Sequence, residues 1–176
     1  MGEEWLQVCE WFCKHAARLG MKIWLYDEYN WPSGSCQNRV QAGNPAFQHA
    51  ETVIRRNPDN TFAWSVVRSP ERVNLYEPAA VRRFMDLTHR VYERRLRPYL
   101  GSTVIGIFTD EPGYPGRVDA PNAVLKFRSF EGLEEAYHEA TRRAFREDVE
   151  RFLNDPAQDA VWGVYAELQG RRFRAS

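Results

Sequence analysis

A chain of 176 residues with 43% hydrophobic and 14% aromatic side chains carries enough apolar material for a packed core, which excludes an intrinsically disordered segment. Its 24 basic and 24 acidic residues cancel, so net charge favours neither nucleic acid nor an anionic membrane as a partner. Cys9, Cys13 and Cys36 lack C-x-x-C spacing, which argues against a disulfide framework or a structural zinc site. The sequence holds no apolar run of about eighteen residues and no basic-then-apolar leader, so the chain reads as soluble, with its cellular address left open.

In chain order, Trp5, Val8, Cys9, Phe12, Ala16 and Leu19 recur at helical spacing from about Glu3 to Leu19, with Cys9 and Cys13 as core residues and Gly20 placed to end the helix. A strand follows over Met21-Lys22-Ile23-Trp24-Leu25-Tyr26 and ends in Asp27-Glu28. The stretch Trp31-Pro32-Ser33-Gly34-Ser35 is a loop by its turn residues, and Cys36 to Ala46 reads as a turn of helix and more loop. Residues Ala50–Arg56 and Thr61–Val67 flank Asn57-Pro58-Asp59-Asn60 and predict a β-hairpin, an antiparallel excursion from the main layer. A long helix is predicted from Pro78 to about Leu96, with Val81, Phe84, Met85, Thr88, Val91, Tyr92 and Leu96 on one stripe.

That helix feeds Thr103-Val104-Ile105-Gly106-Ile107-Phe108-Thr109-Asp110-Glu111-Pro112, a β-rich apolar run ending in two acids and a proline. Continuous apolar runs suit parallel strands covered on both faces, so Asp110 and Glu111 are expected at the carboxyl rim of the sheet, with Pro112 holding Glu111 extended. Two strands thus end in Asp-Glu, and ligand sites in α/β folds lie outside the carboxyl ends of strands. Beyond Gly113-Tyr114-Pro115-Gly116 the sequence predicts a loop, one charged helix from about Gly132 to Leu153, a short helix from Asp159 to Leu168 and a frayed tail at Arg171-Arg172-Phe173-Arg174. The absence of a linker or repeat makes residues 1–176 a single α/β domain.

Paired carboxylates at a sheet rim support glycoside hydrolysis, in which one acid donates to the leaving oxygen and a second carboxylate acts as base or nucleophile. Glu111 is the candidate acid. Trp31, an aromatic beside acids, suits the apolar face of a pyranose if it is exposed and otherwise caps the core, and the residues alone favour neither. A divalent-metal sugar isomerase is a weaker reading that requires a histidine near Glu111, whereas His15, His49, His89 and His138 read as solvated or structural. The sequence has no G-x-S-x-G, no P-loop and no G-x-G-x-x-G, so serine hydrolase and nucleotide chemistry lack support.

The ordered set Lys22-Ile23-Trp24-Leu25-Tyr26-Asp27-Glu28-Tyr29-Asn30-Trp31-Pro32-Ser33-Gly34, then Asn74-Leu75-Tyr76-Glu77-Pro78-Ala79-Ala80-Val81-Arg82-Arg83-Phe84, then Gly106-Ile107-Phe108-Thr109-Asp110-Glu111-Pro112 resembles the catalytic barrel of bacterial glycoside hydrolases of the α-L-rhamnosidase type, family 106 and its relatives. The resemblance covers roughly Trp5 to Pro112. It implies a TIM-barrel fold, a terminal sugar of a plant polysaccharide or glycan as substrate, and calcium near the site. By similarity Glu111 is the catalytic acid, and Asp110 and the Asp27-Glu28 pair supply substrate contacts or the second carboxylate, a choice the motif leaves open; the candidate set is Glu111 and Glu28 as catalytic residues with Asp27, Asp110, Tyr26 and Trp31 as substrate contacts. Where such proteins carry small residues after the W-P-S-G core, this chain has Cys36-Gln37-Asn38.

A closed (β/α)8 barrel needs about 250 residues and eight strands, and only two barrel strands are legible here. The fold expected is therefore a partial (β/α)8 TIM-barrel fragment with parallel strands, alternating helices and a β-hairpin excursion. Its partners would be the remaining barrel strands of a parent protein or a second copy. A non-catalytic carbohydrate-binding or structural remnant is the alternative function.

Overall fold

A computed structural model describes residues 1–112 and 118–175, so Gly113-Tyr114-Pro115-Gly116, beyond which the loop is expected, lies outside the described residues. In chain order the elements are α1 (Glu3–Arg18), β1 (Ile23–Tyr26), β2 (Gln48–Arg56), β3 (Phe62–Val73), α2 (Pro78–Leu87), α3 (His89–Leu96), β4 (Val104–Phe108), β5 (Leu125–Arg128), α4 (Leu133–Thr141), α5 (Phe145–Asn154) and α6 (Ala160–Ala175). The fold is mixed α/β, with β1 and β4 in a two-stranded parallel sheet and a second sheet in the order β3-β2-β5, in which β2 and β5 run antiparallel. No linker is legible in the sequence, yet the chain forms two compact units, Met1–Gln48 with Pro70–Gly116 and His49–Ser69 with Arg117–Ser176.

In the first unit, α1 has acids in its first turn and Arg18 in its last, matching the helix dipole, and Gly20 at φ +68 lets the chain turn out into β1. The buried stripe of α1 is Leu6, Cys9, Cys13 and Ala16, of which the first three pack with Leu25, Tyr92, Leu96 and Val104. Trp5, Val8, Phe12 and Leu19, expected in that stripe, stand exposed, because the face that meets β1 and α3 is rotated by part of a turn from the most hydrophobic one. Burial of each large aliphatic side chain here is worth about 1.5–3 kcal/mol.

The helix expected across Pro78–Leu96 breaks in two at the fully buried Thr88 (φ −126, ψ −80). Its hydroxyl donates to the Phe84 carbonyl four residues back, a bond that bends helices. Tyr92 and Leu96, on the far side of the break, still reach the core. Parallel strands are normally covered on both faces, but in this sheet Trp24, Ile105 and Phe108 are exposed. The Trp24 ring lies across Gly106 so closely that an added Cβ would come within 2.9 Å of it.

In the second unit one face of the β3-β2-β5 sheet carries Ile54 and Phe127 against α4, α5 and α6, around an aromatic core that includes Tyr137, Phe145 and Tyr165. The predicted hairpin forms over a longer span, and β5, which has no counterpart among the predicted elements, adds an edge with Thr52 opposite Phe127. The single charged helix expected from Gly132 to Leu153 is two helices, α4 and α5, separated at Arg142 in the left-handed region (φ 61). The tail expected to fray is the last turns of α6.

Asp148, 4% exposed, is held by Arg143 at 2.6 Å, Arg151 at 3.1 Å and the Tyr137 hydroxyl at 2.7 Å. Burial, then the bond to Asp148, pushes the Tyr137 phenol from 10.0 up to about 12. Folding therefore favours the neutral phenol, a contribution complete below pH 10 and lost as pH rises through about 12. Melting temperatures across this window are expected to fall less steeply for Tyr137→Phe than for the parent chain; equal slopes would contradict the coupling.

Candidate functional site

The carboxyl ends of β1 and β4 lie side by side, with Tyr26 paired to Phe108 in register. The strands continue one residue further, the Asp27 N–H donating to the Phe108 carbonyl at 3.2 Å. Both Asp-Glu pairs therefore emerge at one rim of one sheet, and the structure treats their four carboxyl groups in different ways.

Asp27 is fully buried. Its Oδ1 accepts the Ser33 hydroxyl at 2.6 Å and its Oδ2 the Thr109 hydroxyl at 2.7 Å, the second bond reaching across from the end of β4. Ser33 completes the bridge: its Oγ accepts the Asp110 N–H at 2.9 Å, and its own N–H donates to the Asp110 carbonyl at 2.9 Å. His89, expected to be solvated or structural, packs behind this bridge: the Thr88 hydroxyl, already donating to Phe84, accepts from Nδ1 of His89 at 2.9 Å, and the ring lies 3.8 Å from Asp27 Oδ2, beyond hydrogen-bond reach. Asp27, expected as a substrate contact, is an internal anchor of the strand ends.

Glu28 is 6% exposed and accepts five backbone N–H groups. Oε1 takes those of Tyr29 and Asn30 at 2.7 and 3.2 Å, and Oε2 takes those of Gly34, Ser35 and Cys36 at 2.7, 3.0 and 3.0 Å. A loop folded around one carboxyl group in this way satisfies backbone donors that would otherwise be buried without partners. Glu28 is thus the organiser of residues 29–36, in place of the second catalytic carboxylate expected from the sequence. Gly34 (φ +120) packs against Val73 and Leu75, and Cys36, Gln37 and Asn38 follow at φ 49, 56 and 63. This is backbone that glycine adopts most readily and that costs other residues about 1–2 kcal/mol each. The buried Cys36 packs with Val40, Ala80 and Phe84 and anchors the turn to α2.

The remaining two carboxyl groups face outward. Asp110 is half-buried and its Oδ2 accepts the Tyr26 hydroxyl at 3.3 Å. Burial, then the Asp110 carboxylate, pushes the Tyr26 phenol up, so it remains a donor at neutral pH. Glu111 is exposed and has φ 45, so it is left-handed and not extended as expected from Pro112; the chain turns sharply where the strand ends. Trp31, in a cis peptide with Pro32, is 47% exposed, and Tyr29 is 62% exposed. The structure therefore brings Tyr26 and Asp110 together and leaves Glu111, Trp31 and Tyr29 open, on the same two strand ends and the Glu28-bound loop.

Calcium, implied by the resemblance, takes about 6–8 oxygen ligands. Both oxygens of Asp27 and both of Glu28 already accept protein hydrogens, and among the described residues no group of three or more His, Cys, Asp or Glu side chains is placed to hold a metal ion. The described residues of this rim do not fit a calcium site.

Replacing Glu28 by Gln puts an amide NH2 against N–H donors, and the loss of charge-assisted bonds worth roughly 1.5–3 kcal/mol each is expected to loosen the loop. Glu28→Gln is therefore expected to lower stability by about 3 kcal/mol or more and to speed hydrogen exchange at Gly34, Ser35 and Cys36. Unchanged exchange at those amides would mean that the cage does not hold the loop. Comparison with protein-family models, curated proteins and solved structures finds no match for this chain, so a functional reading rests on geometry and chemistry alone.

Proposed function

We propose that the first unit carries the substrate rim of a glycoside hydrolase of the α-L-rhamnosidase type, built as part of a (β/α)8 barrel. The observation that carries this reading is the parallel pairing of β1 with β4, which sets Tyr26, Asp110 and Glu111 beside the loop bearing Tyr29 and Trp31. In this reading a terminal sugar stacks on Trp31 and Tyr26 bonds its hydroxyls. Glu111, free of internal bonds among the described residues, donates the proton to the leaving oxygen, and Asp110, the other outward carboxyl group, is the base that takes a proton from the water attacking the anomeric carbon. Asp27 and Glu28 position the rim. The exposed Trp24, Ile105 and Phe108 on the open sheet are the surface that further barrel strands, or a second copy of the chain, would cover.

A second reading, a non-catalytic carbohydrate-binding piece of such a barrel, is favoured by the Glu28 cage: with both its oxygens occupied, Glu28 is not open to serve as base or nucleophile.

Hydrolysis of a panel of aryl glycosides led by the α-L-rhamnoside separates the two. Turnover that falls about 100-fold or more in Glu111→Gln, with the Trp31→Ala effect confined to substrate affinity, is the outcome expected of the hydrolase. Sugar binding without turnover by the folded chain would replace it with the binding reading, and neither binding nor turnover would refute both.

A further inference from the structure

The second unit holds a cavity of about 430 Å³ where the sheet face runs past the first turns of α4 and α5. One wall is apolar: Phe127 and Phe130 line it with Leu133, and Trp64 stands edge-on to Phe127, its ring centroid 6.2 Å away. The indole is fixed by a 2.8 Å bond from Nε1 to Glu150. Set into this wall is the Thr52 side chain, on a residue only 7% exposed. Its hydroxyl has no hydrogen-bond partner among the described residues, nor does that of Ser129, which lines the same cavity. Neither hydroxyl is among the buried polar atoms that lack a partner, so both reach the open space of the cavity.

Charge at the mouth decides what class of molecule the cavity takes. Arg146 lies over the Trp64 ring at 5.2 Å and pairs with Glu134 at 2.9 Å. The guanidinium already occupies the face of Trp64 that a ligand cation would take, while Glu134 and Glu135, in the first turn of α4, disfavour an anion. A wholly apolar ligand would strip water from the Thr52 and Ser129 hydroxyls and the ion pair without replacing its bonds. The class left is a neutral ring with an apolar face and several hydroxyls. We propose that this cavity is a saccharide-binding site for a single pyranose, with its apolar face against the aromatic wall and the hydroxyls bonded to Thr52, Ser129 and the Glu134–Arg146 pair. The site belongs to the second unit alone and does not depend on the glycosidase reading of the first.

The test is a ¹⁵N-resolved NMR titration of the full chain with the methyl glycosides of glucose, galactose, mannose and rhamnose, with phenol and tetramethylammonium as controls. The expected result is saturable shifts at the Trp64 indole and the Ser129 and Gly132 amides for at least one sugar, with a Kd in the millimolar range. Thr52→Val is expected to weaken that sugar by about fivefold, the worth of one hydrogen bond, without lowering the melting temperature. Four outcomes would overturn the proposal: no saturable shift with any sugar, shifts confined to Tyr29–Ser33, an equal response to phenol or tetramethylammonium, or unchanged affinity in Thr52→Val. Glu134→Gln, on an exposed side chain, gives a second variant that leaves the core intact and is expected to weaken the same sugar.

Discussion

The buried carboxylate of Asp27 is the constraint on which the rim of the first unit depends. A charge removed from water has to be met by donors, and Asp27 is met by two hydroxyls, one from the loop after β1 and one from the end of β4. Because those donors belong to different segments, satisfying the carboxylate also fixes the two strand ends against each other. Ser33 then closes a second link through the backbone of Asp110. Everything outward of this point, from the Tyr26–Asp110 contact to the Trp31 loop, takes its position from it.

Neighbouring residues of like chemistry have thereby been given opposite tasks. The first Asp-Glu pair faces inward and is consumed by the scaffold, Asp27 by hydroxyls and Glu28 by backbone N–H groups, while the second pair, Asp110 and Glu111, faces out. The division has a physical reason: a short loop carrying Gly34 and three further residues at positive φ has too few internal bonds to hold its shape, and one carboxyl group at its centre supplies five. The aromatic residues on the loop can then stand exposed without the loop collapsing around them.

Much of this was legible in the residues. The apolar runs of β1 and β4 and the acids that end them revealed a parallel rim, and Gly20 and Pro78 marked real boundaries. What periodicity could not supply was tertiary competition. The Thr88 hydroxyl breaks a helix whose stripe continues unbroken through it, and Arg142 adopts a left-handed turn inside a charged run that reads as helix throughout. The short strand Leu125–Arg128 alternates too briefly to be seen, and becomes a strand only because β2 offers it an edge. At the site, residue type identified the right segments but not the direction each side chain faces. Whether a carboxyl group at a strand end serves substrate or scaffold depends on which donors the fold delivers to it. Five of those donors are backbone groups, which carry no signature in the sequence.

The most direct test of the Asp27 constraint is a double-mutant cycle on stability with Asp27→Ala, Ser33→Ala and the double variant, followed by chemical denaturation. A coupling of about 1.5–3 kcal/mol is the result expected of a buried, charge-assisted bond that organises the rim. Additive effects, with coupling near zero, would contradict the claim that this carboxylate ties the strand ends together.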